Sequence, residues 1–343
     1  MKRIMINGRY RSHIQTGMQN YAAELTARMQ GRVETISPAR SLKGAQGHLW
    51  EQLFLPMKAR RSLLWSPNNT GPLAARHQVC TFHDLFPIEH PDWYSADFAR
   101  LYAWLLPMLV KRVAHMIAVS HYTKQSLMKR LGVPADKITV IHNGVGDQYR
   151  RRSPEEISAA RARLGIDFER YVVTVGSAGR RKNLSKLLEA WPKISKSVPD
   201  LGLVVAGHKC KVRSLSQTDF SDIPERTYFT DYVPQELLPA LYSGATSIIH
   251  PTLGEGFGLP PLEAMACGTP AIVSMNTALP EVVGDAAIGI DPHDVDSIAD
   301  AVIRMVSSSE LQQEHRRRGK RRAAMFSWKQ CAEQTWKVLE AFA

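Results

Sequence analysis

Short, nearly continuous apolar runs recur along this chain, separated by longer stretches in which apolar residues return at helical spacing. The short runs read as β-strands at Arg3–Asn7, Leu63–Trp65, Val79–Phe82, Met116–Val119 and Ile138–Ile141. Further on they read as strands at Tyr171–Gly176, Leu201–Gly207, Thr227–Thr230, Ser247–His250 and Thr269–Ser274. Helical spacing predicts helices at Gly17–Met29, where Met18, Tyr21, Ala22 and Leu25 share a face, and at Ser95–Val113, Tyr122–Leu131 and Asn183–Ser197. From Val295 to the C-terminus helices dominate. Strands that are apolar almost throughout suit parallel sheets covered on both faces, and strand–helix alternation marks an α/β architecture. The alternation restarts after a polar, proline-containing stretch at 150–156 (RRRSPEE), which reads as a linker. Two doubly wound domains, 1–150 and 151–326, are therefore predicted, facing each other across a ligand cleft. Ligands of such sheets sit beyond the carboxyl ends of the strands, so the loops after strands are where chemistry is expected.

The length of 343 residues exceeds what one hydrophobic core usually organises and agrees with two domains. With 44% apolar and 22% charged residues the chain is neither disordered, collagen-like nor a disulfide scaffold. Cys80, Cys210, Cys267 and Cys331 lie far apart and form no C-x-x-C pair, which points to a reducing compartment and gives no support to a zinc site. The longest apolar run, Leu101–Val110, contains Pro107 and is about half of the ~20 residues a bilayer span needs. The N-terminal MKRIMINGRYR lacks the apolar core of a signal peptide. Neither a membrane span nor an export signal is expected. Charge changes the picture more: the net is +12, and residues 1–150 hold 20 Lys plus Arg against 9 Asp plus Glu, whereas residues 151–343 hold 24 against 23. Such asymmetry points to an anionic partner for the first domain: nucleic acid, anionic lipid or an acidic substrate.

Four stretches after predicted strands carry candidate chemistry. In His250–Glu263 (HPTLGEGFGLPPLE), three glycines in five positions allow close backbone approach to a ligand, and Pro260 suits the first turn of a helix. Glu255 lies in the loop and Glu263 is placed within the first helical turn, and each carboxylate suits a pair of sugar hydroxyls. The alternative is a Gly-rich turn with an acidic residue at a helix start. Gly176–Asn183 (GSAGRRKN) puts Arg180, Arg181 and Lys182 at a strand–helix junction, where they would clamp a pyrophosphate or form a solvated patch. Phe82-His83-Asp84 places a His-Asp pair at a strand end, either as donor or base or as a buried histidine held by its neighbour. Thr16-Gly17 opens the first long helix, whose amides could bind phosphate. Two patterns are discounted. Asp294 and Asp296 have D-x-D spacing, as in some metal sites, but begin a regular helix. The basic run His315–Arg322 resembles a nucleic-acid patch but reads better as a solvated helix face.

Together these stretches resemble the family 4 glycosyltransferases, retaining enzymes of GT-B fold that take a sugar from a nucleoside diphosphate. The E-x7-E pattern appears as Glu255…Glu263 around Gly-Phe-Gly-Leu-Pro. The likeness continues through EAMACGTPAIVS (263–274), ALPEVVGDAA (278–287), GRRKN (179–183), FHD (82–84), AVSHYTKQSL (118–127) and HNGV (142–145). The resemblance implies that Glu255 contacts the donor sugar with Gly256, Phe257, Gly258 and Leu259, and that Glu263 holds the ribose. It implies that Arg181 and Lys182 bind the diphosphate, with Gly17 approaching from the first domain and His83, beside Asp84, facing the reaction centre. Many relatives carry Arg where this chain has Ser177, which shifts the load to Arg181 and Lys182 or to Arg180. The last segment, 327–343, resembles the helix that crosses back onto the N-terminal domain.

The resemblance implies no metal and no cofactor. It implies front-face displacement with retention, a phosphate oxygen of the leaving group taking the acceptor's proton. The RKN form of the phosphate motif and HLWEQLFLP (48–56) resemble enzymes that build bacterial surface polysaccharides. That favours GDP-mannose over UDP- or dTDP-sugars, rhamnose included. The expected acceptor is a lipid-linked or free oligosaccharide at the cytoplasmic face of the membrane, whose anionic surface the basic domain would meet; nucleic acid is not an expected partner. A sugar-nucleotide epimerase sharing this architecture and a nucleic-acid-binding protein are the rival readings.

Overall fold

The computed structural model describes residues 3–12, 17–42, 44–75, 77–176, 179–207 and 223–343. The chain forms two compact units, Met1–Gly144 with Phe326–Ala343, and Val145–Met325.

Unit 1 runs β1 (Ile4–Asn7), α1 (Gly17–Arg28), β2 (Glu34–Ile36), α2 (Gly44–Lys58), β3 (Leu63–Ser66), β4 (Gln78–Phe82), α3 (Phe86–Glu89), α4 (Ala96–Arg112), β5 (His115–Ala118), α5 (His121–Leu131) and β6 (Ile138–Val140). Its six strands are all parallel, in the order β2-β1-β3-β4-β5-β6. Phe82, Met116 and Ala118 pack against Leu106 and Leu109 of α4 and Leu127 of α5.

Unit 2 continues with α6 (Pro154–Leu164), β7 (Arg170–Val175), α7 (Leu184–Ser197), β8 (Leu201–Ala206), β9 (Thr227–Phe229), α8 (Leu238–Gly244), β10 (Ser247–His250), α9 (Leu259–Ala266), β11 (Ala271–Ser274), α10 (Leu279–Val283), β12 (Ala287–Ile290), α11 (Val295–Ser307) and α12 (Ser309–Ala323). Its sheet is also parallel, ordered β12-β11-β10-β7-β8-β9. Val172, Leu203, Ile249 and Ile272 of the sheet are covered by Leu187, Trp191 and Ile194 of α7 and by Ile298, Val302 and Met305 of α11. The last helix, α13 (Trp328–Phe342), belongs to unit 1, where it packs on α1 and β3. The Trp328 ring meets Tyr21 edge-on at 6.0 Å. No helix among the described residues is long and apolar enough to cross a membrane.

Strand order fixes one switch point per unit. Chain progression reverses between β1 and β3 in unit 1, and between β7 and β10 in unit 2, and the crevices at those carboxyl ends are where such sheets bind ligands.

Three expectations are corrected. The stretch 150–156 is not simply a linker: Ser153 Oγ accepts from Glu156 N (3.3 Å), and Glu156 Oε2 accepts from Ser153 N (2.9 Å). This capping box, with Pro154 in the first turn, starts α6. The basic run at 315–322 is only partly a solvated face. His315 Nδ1 lies 3.0 Å from the Ala286 carbonyl, Arg318 donates to Asp285 O, and Arg322 donates to Val282 O and Glu281 O. Glu263 sits in the second turn of α9, not the first.

Candidate active site

The two motifs of unit 2 follow the two strands that flank its switch point. After β7 the chain makes a 3-10 turn at Arg180–Lys182; after β10 it runs through Pro251–Gly258 into α9. Arg180 is exposed, while Arg181 and Lys182 are turned toward the second loop. Glu255 Oε2 lies 2.7 Å from Arg181, and its Oε1 accepts from Lys182 Nζ at 2.5 Å and meets His250 Nε2 at 3.0 Å. Arg181 also donates to the Gly254 carbonyl at 2.7 Å. Two residues 73 apart in sequence, Lys182 and Glu255, are thus joined directly.

Several local features hold this geometry. Gly176 has φ +152°, and a Cβ there would lie 2.9 Å from Lys182 Cε, so glycine gives the lysine its path. Asn183 is left-handed, at φ 55°, and its amide donates to Pro251 O (3.0 Å) and Pro292 O (2.7 Å). It ties the cationic turn to the loops after β10 and β12. Thr252 Oγ1 and Leu253 N both donate to Arg181 O at 2.8 Å. From the loop after β11, Thr277 Oγ1 accepts from Glu255 N at 2.9 Å. Thr277 has φ 49°, unusual for a β-branched residue, so the contact is held against backbone preference. Gly258, at φ +110°, turns the chain into α9; a Cβ there would lie 2.5 Å from Leu279 Cδ2. Gly256, Phe257 and Gly258 are buried, and Leu259 is the first residue of α9.

The electrostatics follow from burial and pairing. Burial alone would raise Glu255, but Arg181 and Lys182, with His250, outweigh it and hold the carboxyl well below its usual range. Burial lowers Lys182 and Arg181 adds to this, against the opposing pull of Glu255. Burial also lowers His250, so the ring is neutral and donates to the carboxylate. The cluster therefore carries two cations and one anion.

Glu263 has different surroundings. Tyr242 of α8 donates to its Oε2 at 3.2 Å, and Tyr149 also hydrogen-bonds it. Burial pushes this carboxyl up to about 7, with the two tyrosines pulling the other way. The two glutamates of one E-x7-E pattern thus differ in charge state near neutrality, one always ionised and one at its midpoint.

In unit 1, His83 follows β4. Its backbone N–H donates to Asn69 Oδ1 at 2.6 Å, its ring Nε2 meets the Pro67 carbonyl at 2.8 Å, and Tyr21 stands edge-on at 4.9 Å. Burial lowers it to about 4 despite the Pro67 bond. The ring is neutral at physiological pH, with Nε2 carrying the proton and Nδ1 as acceptor. Asp84 Oδ1 accepts from Phe86 N at 3.3 Å, at the start of α3. Gly17 opens α1, one turn before Tyr21. Ser177 lies outside the described residues. The D-x-D pair has local tasks: Asp294 caps α11 by accepting from Asp296 N (2.9 Å), and Asp296 pairs with Lys193 at 2.8 Å.

His250, Asn183, Thr277, Tyr149 and Tyr242 were not among the predicted site residues. Asn183 carried a signal, because asparagine tolerates the left-handed conformation a strand-to-helix junction needs. His250 stands five residues before Glu255 in the same motif, and Thr277, Tyr149 and Tyr242 reach the site through long-range packing.

Comparison with known proteins gives the family and the fold. The family profile described as "Glycosyl transferases group 1" matches residues 156–322, and that described as "Glycosyltransferase Family 4" matches residues 62–149. The chain is 30% identical to O-antigen chain mannosyltransferase B of Escherichia coli, over 78% of this chain and 71% of that protein. It is 31% identical to O-antigen chain mannosyltransferase RfbU of Salmonella typhimurium, over 74% of this chain and 67% of that one. Among solved structures, HepE of Anabaena in complex with UDP and glucose matches with a TM-score of 0.80 at 18% identity, over 99% of this chain and 100% of that one. WaaG, a glycosyltransferase involved in lipopolysaccharide biosynthesis, matches with a TM-score of 0.75 at 15% identity, over 98% of this chain and 99% of that one. With two parallel six-stranded sheets and these neighbours the fold is GT-B, and the chain belongs to glycosyltransferase family 4.

Proposed function

We propose that this glycosyltransferase moves mannose from GDP-mannose to a hydroxyl of a lipid-linked or saccharide acceptor, in bacterial surface polysaccharide biosynthesis at the cytoplasmic face of the membrane. The observation that carries a nucleoside diphosphate sugar is the Arg181–Lys182–Glu255 cluster at the β7/β10 switch point. The choice of mannose leans on the O-antigen mannosyltransferases named above.

Arg181, as a fork, and Lys182, as a point charge, bind the diphosphate and neutralise it as it leaves. Glu255, held anionic, accepts from hydroxyls of the donor sugar, with the backbone of Gly256–Leu259 beside it. Glu263 accepts from the ribose hydroxyls when ionised. In unit 1, Gly17 is read as a donor-binding residue and His83, with its acceptor nitrogen, as a catalytic one, while Asp84 accepts from Phe86 N and keeps the loop after β4 in place. Two protein cations do the work a divalent ion would do, so the reaction is read as metal-independent and without cofactor.

The configuration is retained by front-face displacement. The bond from the anomeric carbon to the phosphate oxygen breaks, the acceptor oxygen bonds to the same face, and its proton passes to the departing diphosphate. Two features support this over a double displacement. Glu255 is ion-paired on both oxygens, which suits it poorly as a nucleophile. His83, lowered to about 4, is a poor general base at neutral pH.

The test is a thermal-shift screen of GDP, UDP, dTDP and ADP and their sugars, followed by transfer assays with the stabilising donor. GDP and GDP-mannose should raise the melting temperature most, because a ligand of the native state alone stabilises it. Lys182→Ala should fold and lose transfer. A folded Lys182→Ala enzyme with full activity overturns the site; stabilisation by another nucleotide reassigns the donor; conversion of the nucleotide sugar without acceptor marks an epimerase.

A further inference from the structure

Unit 1 exposes an apolar face that the transfer chemistry does not use. On α2, Leu49, Leu53, Phe54 and Met57 are between 53% and 65% exposed; on α4, Trp104 is 59% exposed, and Phe98 and Met108 are also exposed. These are seven of the eleven exposed large apolar side chains among the described residues. The two helices are neighbours, since His48 of α2 meets Tyr102 of α4 edge-on at 6.3 Å.

The apolar arc cannot turn inward, because the opposite face of α2 is anchored. Glu51 is 1% exposed and accepts from Asn7 Nδ2 (2.7 Å), Arg9 (2.9 Å) and Thr70 Oγ1 (3.1 Å). Gln52 bonds Gly71 O (3.0 Å) and Leu73 N (2.9 Å), and Leu55 is fully buried. This network fixes the rotation of the helix and leaves its apolar arc facing outward.

Charge identifies the occupant. Lys58, Arg60 and Arg61 follow the arc, Arg40 precedes it, and Arg100, Lys111 and Arg112 stand along α4, all exposed. Between positions 39 and 62 Glu51 is the sole acidic residue, and it is buried and paired. Unit 1 holds 21 Lys plus Arg against 10 Asp plus Glu. An apolar stripe framed by cations is the composition of a helix lying in the boundary layer of a bilayer, and anionic headgroups attract the frame. A second copy would bring the same excess of positive charge to the contact.

We propose that the α2–α4 face of unit 1 docks on an anionic phospholipid bilayer, with Leu53, Phe54, Met57 and Trp104 entering the headgroup–acyl boundary. Lys58, Arg60 and Arg61 then lie over the headgroup phosphates. This gives a location to the membrane contact on which the lipid-linked-acceptor reading rests. The face shares no residue with the donor cluster, so the two readings fail separately.

The full chain is sedimented with vesicles of phosphatidylglycerol and phosphatidylcholine in equal parts, and with phosphatidylcholine alone. Wild type should bind the anionic vesicles, more weakly at high salt. Its tryptophan emission should move to the blue, a shift that Trp104→Phe removes; of the seven tryptophans, all described, Trp104 is the exposed one. Phe54→Glu with Met57→Glu should weaken binding on the order of tenfold or more. Arg60→Glu with Arg61→Glu should erase the preference for anionic vesicles. Both double variants should keep stabilisation by the donor nucleotide. Equal sedimentation of wild type and Phe54→Glu/Met57→Glu, or no vesicle binding by wild type, overturns the proposal. So does a wild-type dimer that this pair of substitutions dissociates while vesicles are ignored. Vesicle binding without nucleotide binding leaves docking standing and removes the donor assignment.

Discussion

Glu255→Gln is the sharpest test of how the cationic cluster works. In the structure the Glu255 carboxylate lies 2.7 Å from Arg181 and 2.5 Å from Lys182, so an arriving diphosphate meets cations already partly neutralised. Glutamine keeps the shape and removes the charge, taking the cluster from two cations and one anion to two cations. A diphosphate on the far side of those cations would sit about 6 Å from residue 255, where one unit charge at an effective dielectric of about 20 is worth ~2–3 kcal/mol. The variant should therefore bind the nucleoside diphosphate roughly 30- to 150-fold more tightly than wild type. Sugar transfer should fall nonetheless, because the charged acceptor for the sugar hydroxyls is gone. The protein alone should lose about 2–4 kcal/mol, as two neighbouring cations lose their common partner; Arg181, with 28% of its side chain exposed, keeps that below the cost of a fully buried pair. Isothermal calorimetry with GDP and UDP, denaturant unfolding and a nucleotide-release assay read the three effects. Unchanged or weaker diphosphate binding by a folded Glu255→Gln variant would refute the arrangement in which Glu255 and the diphosphate share these cations.

Three other outcomes follow from the same reasoning. Glu263 is raised from 4.5 to about 7, so the folded state holds a proton that the unfolded chain releases. Its stabilising effect is full below 4.5 and lost as pH rises through about 7, worth about 3 kcal/mol; Glu263→Gln should flatten that part of the melting-temperature profile, and a profile parallel to wild type would sink the assignment. Asn183→Ala loses two hydrogen bonds and puts alanine in a left-handed conformation, so it should cost about 2–4 kcal/mol and raise the donor KM, whereas Asn183→Gly should recover the backbone part; equal stability of the two variants in urea contradicts this. In unit 1, Glu51→Leu strands Arg9 and should cost about 3–5 kcal/mol, much of which Arg9→Met restores in the double variant; additive losses in urea unfolding would show that the pair is not coupled.

Much of the fold was legible because it is written locally. Apolar runs such as Ser247–His250 and Ala271–Ser274 are central strands, and central parallel strands are the most continuous apolar signals a chain carries. What escaped was short, at a sheet edge, or amphipathic in an unusual way. β2 has three residues, none of them buried, and β12 is a four-residue edge strand with one buried. α2 was illegible as a core helix because its large apolar residues point outward, as Leu49, Leu53, Phe54 and Met57 do. The start of α6 had a readable signal, Ser153-Pro154-Glu155-Glu156, which the three preceding arginines obscured. The site divides in the same way. Glu255, Glu263, Arg181 and Lys182 stand out within contiguous motifs. Their partners Thr277, Tyr149 and Tyr242 belong to other elements, and their roles exist only once the sheet order is known.

That division bears on what Glu255 does for turnover. Cations that held the diphosphate with full strength would bind substrate and product alike, and binding that is uniform along the reaction path does not raise kcat. A carboxylate between them weakens the hold on the ground state. On the proposed roles it also takes the sugar hydroxyls, whose alignment matters most as the anomeric bond breaks, so affinity is given up where it is uniform and regained where it is selective. The same carboxylate is available to take back both cations when the nucleoside diphosphate departs, which eases product release. Glu255→Gln should therefore be strongly inhibited by its own product: in single-turnover experiments its chemical step should fall less than its steady-state rate, because release has become slow as well. Equal losses in the two measurements would mean that Glu255 acts on the chemical step alone and has no part in letting the diphosphate go.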